Sequence, residues 1–160
     1  MTTTAATPPP APDLDVTQWF NASAPLTLAG LRGKVVMLHA FQMLCRGCAQ
    51  LATPQAEQVH ERLAGHDLVV IGLHTVFENH AAMQPVSLAV YIHENQLKMP
   101  IAVDRPDGRD GMPATMRAYG MRGTPTLILI DRQGRLRQHC FGHLPDLMLG
   151  AALGTLLAER

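Results

Sequence analysis

The chain has 160 residues, enough for one domain with its own apolar core, and its 47% hydrophobic content is that of an ordinary globular protein. Thirteen basic residues balance thirteen acidic ones, so nothing in the charge recommends a nucleic acid or an anionic membrane surface as partner. Three cysteines are too few, and odd in number, for a disulfide-stapled scaffold.

Residues 1–13 are rich in Thr, Ala and Pro and read as a disordered leader ahead of one domain spanning 14–160. The leader has no basic stretch followed by an apolar run, and no later apolar run is long enough to span a bilayer, so a cytoplasmic protein is expected. A short strand anchored by Trp19 and Phe20 is expected over 16–20, followed by a turn through Gly30 and Gly33. Residues 34–41, dense in apolar and β-branched side chains, predict a buried parallel strand. A helix is predicted from 47 to 63, kinked at Pro54 and stopped by Gly65. There follow a second buried strand over 67–74, a loop over 75–84 and a helix over 85–95 with Pro85 in its first turn. A short strand at 100–103 and a turn-rich segment lead to a short helix at 113–119, closed by Gly120. Strands at 126–131 and 136–141 flank a tight turn, and a last helix over 144–158 presents Leu147, Leu149, Leu153, Leu156 and Leu157 as an apolar face. Long crossovers make the first core strands parallel, and the short turn makes the last pair antiparallel. The fold class is therefore α/β, a central mixed sheet flanked by helices on both faces.

Cys45-Arg46-Gly47-Cys48 lies where the first core strand gives way to a helix. A thiol at a helix N-terminus meets free N–H groups and the positive end of the dipole, which favour a thiolate at Cys45. Cys48 lies one turn further on the same face, within reach of a disulfide. A C-x-x-C pair also serves as half of a zinc site, but structural zinc needs four ligands and there is no second such pair. In a βαβ setting the motif reads as a redox pair.

Four stretches carry a family resemblance: Leu31 to Val36 before the core strand, Cys45 to Cys48, Tyr119 to Thr126 with its Gly-Thr-Pro, and Leu129 to Arg135. In this order they resemble the thioredoxin fold and, within it, the TlpA-like thiol-disulfide oxidoreductases that adjoin the AhpC/TSA redoxins. The resemblance covers 14–160. It implies that Cys45 attacks, Cys48 resolves, and Pro125 is a cis-proline opposite them. It places Phe41 and Leu44 where thioredoxins carry tryptophans, and His39 where thioredoxin keeps a buried acid that moves the second thiol's proton. Phe41, Leu44, Arg46, Gly47, Gly123 and Thr124 are expected to line a substrate groove, with the Thr124 backbone free to pair with an extended substrate. The chain departs from the pattern at Arg46-Gly47, where a Gly-Pro or Pro-Pro is usual, at Pro54, one residue later than usual, and at His39.

The implied activity is reduction or exchange of protein disulfides, with a disulfide-containing protein as substrate, an upstream dithiol or disulfide as electron donor or acceptor, no cofactor and no metal, in a monomer. A peroxiredoxin would need P-x-x-x-T-x-x-C, but Leu38 and Gln42 stand at the Pro and Thr positions. A copper-binding module of the Sco type would pair the cysteines with a downstream histidine and uses a wider cysteine spacing. His60, His66, His74, His80, His93, His139 and His143 are scattered and read as surface or satisfied residues, and Cys140 as a small apolar side chain in a strand. The loops at 75–84 and 104–113 are the segments expected to shape partner choice.

Overall fold

The computed structural model describes residues 6–65 and 67–160; residues 1–5 of the expected leader, and His66, lie outside the described residues. In chain order the elements are β1 (Val16–Phe20), β2 (Val35–Phe41), a π-helical turn (Cys48–Ala52) running into α1 (Thr53–Leu63), β3 (Leu68–His74), α2 (Pro85–Glu94), β4 (Ile101–Asp104), α3 (Ala114–Ala118), β5 (Thr126–Ile130), β6 (Leu136–Phe141) and α4 (Asp146–Ala158). They form one six-stranded sheet in the order β1-β4-β3-β2-β5-β6. β2, β3 and β4 run parallel, and β1, β5 and β6 pair antiparallel with their neighbours. This is the mixed sheet the pattern implies.

β2 lies at the centre and is buried along its whole length. Its period of two divides the core into two layers. Val35, Met37 and Phe41 face the layer that also holds Ala56 of α1, Leu88 and Ile92 of α2, and Leu149, Leu153 and Leu156 of α4. Val36, Leu38 and Ala40 face the other layer, with Met116 of α3, Tyr119, Leu28 and Leu31. Room for the Phe41 ring comes from Gly72 on β3, where a Cβ would lie 3.2 Å from that ring and 3.0 Å from Ile101. On α4 the buried face is Leu149, Leu153 and Leu156, at helical spacing, while Leu147 falls off that face and is exposed.

Two expectations change. The kink at Pro54 is a π-helical turn ahead of α1. Pro54 has no N–H to give to a carbonyl four residues back, and the Thr53 N–H before it bonds the Cys48 carbonyl, five residues back. Residues 9–12 of the expected leader are hydrogen-bonded to the domain. Leu136 N–H donates to the Pro9 carbonyl at 2.8 Å, Ala11 N–H to the Gly134 carbonyl at 2.9 Å, and the Tyr119 hydroxyl to the Pro12 carbonyl at 2.7 Å. Proline suits such an edge segment, because its ring holds an extended backbone and it lacks only a donor. Among the described residues no helix is long and apolar enough to cross a membrane.

Candidate active site

The carboxyl ends of β2 and β3 and the start of β5 meet at one edge of the sheet, and the two thiols stand there. After Phe41 the chain turns through Gln42, Met43 and Leu44, closed by the Cys45 N–H on the Gln42 carbonyl at 3.0 Å. The Cys45 carbonyl then accepts the Ala49 N–H at 2.9 Å, so Cys45 opens the helix as the motif implies. Cys45 is half-buried and Cys48 fully buried, both are free thiols, and their sulfurs lie 2.6 Å apart. The Cys48 backbone N–H points at Cys45 Sγ from 3.3 Å, a donor that favours charge on that sulfur. Burial pushes the Cys48 thiol up to about 12, and its hydrogen bond with Cys45 acts in the same direction. The two thiols therefore differ: one is reachable, the other buried and protonated.

Opposite them lies the Thr124–Pro125 peptide, which is cis. The Cys45 thiol donates to the Thr124 carbonyl at 3.5 Å, and a Cβ on Gly47 would come within 3.5 Å of the Pro125 ring. Cys45, Cys48, Thr124, Pro125 and Gly47 thus meet at one spot. Leu44 is exposed beside Cys45, at the rim. Arg46 is exposed and turns to Gln50, donating to its side-chain oxygen at 3.3 Å. Gly123 is buried under the half-exposed Phe141 ring, where a Cβ would sit 2.9 Å from a ring carbon. The Arg122 guanidinium covers the same ring at 5.4 Å.

Phe41 does not line a groove. It is fully buried beneath the site, because its place on β2 turns it toward the helical layer and Gly72 leaves space for it there. Two buried histidines flank its ring, His39 stacked at 5.2 Å and His74 tilted at 5.2 Å. His39 Nε2 lies 2.9 Å from the Thr53 hydroxyl, and burial pulls its pKa from 6.5 to about 3. His74 Nε2 accepts the Met43 N–H at 3.3 Å, and burial lowers it from 6.5 to about 4. Both are neutral imidazoles at physiological pH.

Sequence reasoning missed Thr53, His74 and Phe141 as parts of this site and read Gln42 only as a departure from another family's motif. Gln42 carried a signal: it is a polar side chain directly after the apolar run of β2, and it is buried. The other three are reached only through the fold. Among the described residues no cluster of three or more His, Cys, Asp or Glu side chains forms a metal site.

A mixed sheet with a C-x-x-C pair at the end of its central strand and a cis-proline facing the pair is the arrangement of the TlpA-like members of the thioredoxin fold. Comparison with known proteins agrees. Residues 9–139 match the AhpC/TSA family model, and the chain belongs to that family. It is 52% identical to the thioredoxin-like superfamily protein SPOA0173, with a TM-score of 0.91 over 94% of this chain and 97% of that one. It is 47% identical to a thiol-disulfide isomerase from Corynebacterium glutamicum, with a TM-score of 0.89 over 94% and 98% of the two chains. Among curated relatives it is 33% identical over 138 residues to Protein DipZ of Mycobacterium bovis, which covers 82% of this chain and 18% of DipZ. The chain thus spans less than a fifth of that relative's length.

Proposed function

We propose that this protein reduces or exchanges protein disulfides through a Cys45–Cys48 dithiol cycle. The observation that carries the reading is the asymmetry of the pair. Cys45 is reachable and receives a backbone N–H, whereas Cys48 is buried and protonated against it. The Cys45 thiolate attacks one sulfur of a substrate disulfide, forms a mixed disulfide and expels a thiolate. Cys48 then attacks Cys45 Sγ. The Cys45–substrate bond breaks, the Cys45–Cys48 bond forms, and the Cys48 proton passes to the departing substrate thiolate. Two electrons have then moved from the dithiol to the substrate, and an upstream dithiol restores the pair. Once Cys45 is a thiolate it no longer donates to the Thr124 carbonyl, which then pairs with an extended substrate, and Leu44 and Phe141 supply apolar rim.

For His39 we propose a positioning role. With its basicity lowered to about 3, loading a proton on it at pH 7 costs roughly 5 kcal/mol, too much for a resting proton store. As a neutral imidazole it holds Thr53 through Nε2, and Thr53 follows the π-helical turn begun by Cys48. The deciding experiment is insulin reduction with dithiothreitol, run beside hydrogen-peroxide consumption and copper(I) titration of the reduced protein. Insulin turnover that disappears in Cys45→Ser supports the reading. Rapid peroxide turnover, or copper uptake with no insulin reduction, overturns it.

A further inference from the structure

The Gln42 side chain is buried, and its amide is engaged on both sides. Its oxygen accepts the Phe77 N–H at 3.2 Å. Its nitrogen donates to Glu78 Oε1 at 3.3 Å and to Thr124 Oγ1 at 3.4 Å. The orientation of the amide is set by these partners, since an N–H must face an acceptor and a carboxylate must face a donor. Gln42 also belongs to the redox loop itself, through its backbone carbonyl on the Cys45 N–H. Among the described residues it is the one side chain hydrogen-bonded both to the 77–78 segment and to Thr124. Thr124 in turn presents its carbonyl to Cys45 Sγ at 3.5 Å. Three stretches far apart in sequence are therefore tied through one amide, and they are the stretches that surround the attacking sulfur. A hydroxyl side chain at this position has one donor and cannot reach all three partners.

We propose that Gln42 is a positioning residue that latches the 77–78 segment and Thr124 into one arrangement around Cys45, and so fixes the surface on which a substrate disulfide docks. This rests on the oxidoreductase reading above for the identity of the substrate, but the latch itself stands on the contacts. Exposed Glu78, held by a buried partner, becomes a fixed feature of the rim. Releasing the amide frees both walls of the docking surface while leaving the thiols themselves in place. The loss therefore falls on substrate binding.

A double-substitution cycle tests this with Gln42→Met, which keeps the volume and removes every polar contact of the side chain, Glu78→Ala, and the pair. Insulin reduction gives KM and kcat, and iodoacetamide gives the labelling rate of Cys45 in the reduced protein. Gln42→Met should raise KM about tenfold with a smaller change in kcat, since displaced binding groups cost that much or more. Glu78→Ala should raise KM less, and the double variant should be no worse than Gln42→Met, because the same tie is lost once. Cys45 labelling should change by roughly threefold or more in Gln42→Met as its surroundings loosen. A merely destabilised protein would lose kcat with the unfolded fraction and keep its KM, and that result overturns the proposal. So do additive effects of the two substitutions, or wild-type KM and labelling in Gln42→Met. If the wild type fails to reduce insulin, the oxidoreductase reading fails separately, and the labelling rate alone then decides the latch.

Discussion

At the amino-terminal end of β2 the sheet is fastened by ions, and around the thiols at its carboxyl end mainly by neutral side chains. Asp131, just past β5, is buried and accepts the backbone N–H groups of Gln133 and Arg135 as well as the guanidinium groups of Arg135 and Arg137. Arg137 also pairs with Glu159 after α4, and Arg132 reaches Asp67 together with the carbonyls of Gly33, Leu157 and Glu159. The β5–β6 turn, the end of α4 and the start of β2 are thus one charged knot. Around the thiols the buried partners are His39, Gln42, Thr53 and His74, all uncharged at neutral pH; the buried carboxylate at this end of the sheet, Asp104, closes β4 and is taken up by Thr75, Thr115 and Met116. In a low-dielectric pocket a fixed ion beside the thiols would bias one sulfur by several kcal/mol, whereas neutral donors and acceptors orient the loop without that bias. The Glu78 carboxylate is exposed and is tied to this end through the neutral Gln42 amide.

The sharpest break between the two ends comes from removing the nucleophile. Cys45→Ser should lower insulin reduction by about a thousandfold or more and leave thermal stability close to wild type, while Cys48→Ser should accumulate the mixed disulfide on Cys45, visible by mass spectrometry. Retained turnover in Cys45→Ser would move the chemistry away from this end altogether.

Acid should next separate the ends by stability. His39 and His74 have folded-state pKa values near 3 and 4, below the ordinary 6.5, so the unfolded chain takes up protons first as pH falls. Stability supplied by their neutral forms is complete above the unfolded value and drains from about 6.5 down to about 4 for His74 and about 3 for His39, for about 4 kcal/mol in all from pH 7 to pH 5. Asp131 has the opposite sign. Burial raises its pKa, but the Arg135 N–H and the two guanidinium groups outweigh that and hold it below the ordinary carboxylate value of 3.8. Its contribution is therefore intact at pH 5. Urea unfolding at pH 7 and pH 5 should show the loss in the wild type and much less of it in a His39→Gln/His74→Gln protein. An equal slope in both would place the acid sensitivity elsewhere.

The element order was legible from the chain because it depends on local patterns: the apolar run of β2, the spacing of the cysteines, the Gly-Thr-Pro before β5 and the turn before β6. Cys45, Cys48 and Pro125 lie at ends of those elements, so placing the elements places the site. The partners were not legible because they depend on register and distance along the chain. Gln42 meets Thr124 across a separation of 82 residues, and His74 meets Met43 across 31, and no periodicity encodes either bond. Phe41 was misread for a related reason. Alternation along β2 tells that it faces a layer, while its depth depends on Gly72 of the neighbouring strand. Residues 9–12 read as free because proline-rich composition speaks of extension, and an extended segment serves equally as an edge beside the start of β6.

At the charged end, Asp131→Asn should cost about 2 kcal/mol in urea unfolding, the ordinary loss for charge-assisted bonds to a buried acceptor, and leave insulin KM unchanged. A change in KM there would mean that the two ends communicate along β2.

The smallest expected effect tests whether the neutral end moves protons at all. Thr53→Val keeps the shape of the side chain and removes the hydroxyl that faces His39 Nε2. It should cost about 1 kcal/mol of stability, since a buried ring nitrogen then loses its hydrogen-bond partner. If His39 only positions the start of α1, release of substrate from the mixed disulfide in a stopped-flow experiment should slow by less than about twofold, because the proton that Cys48 gives up is taken by the departing thiolate. If His39 carries that proton, both Thr53→Val and His39→Ala should slow the same step by about tenfold or more, the ordinary range for lost acid–base assistance. The positioning role predicts the first result because the histidine cannot hold the proton. Its basicity lies near 3, and the thiol it would have to deprotonate lies near 12.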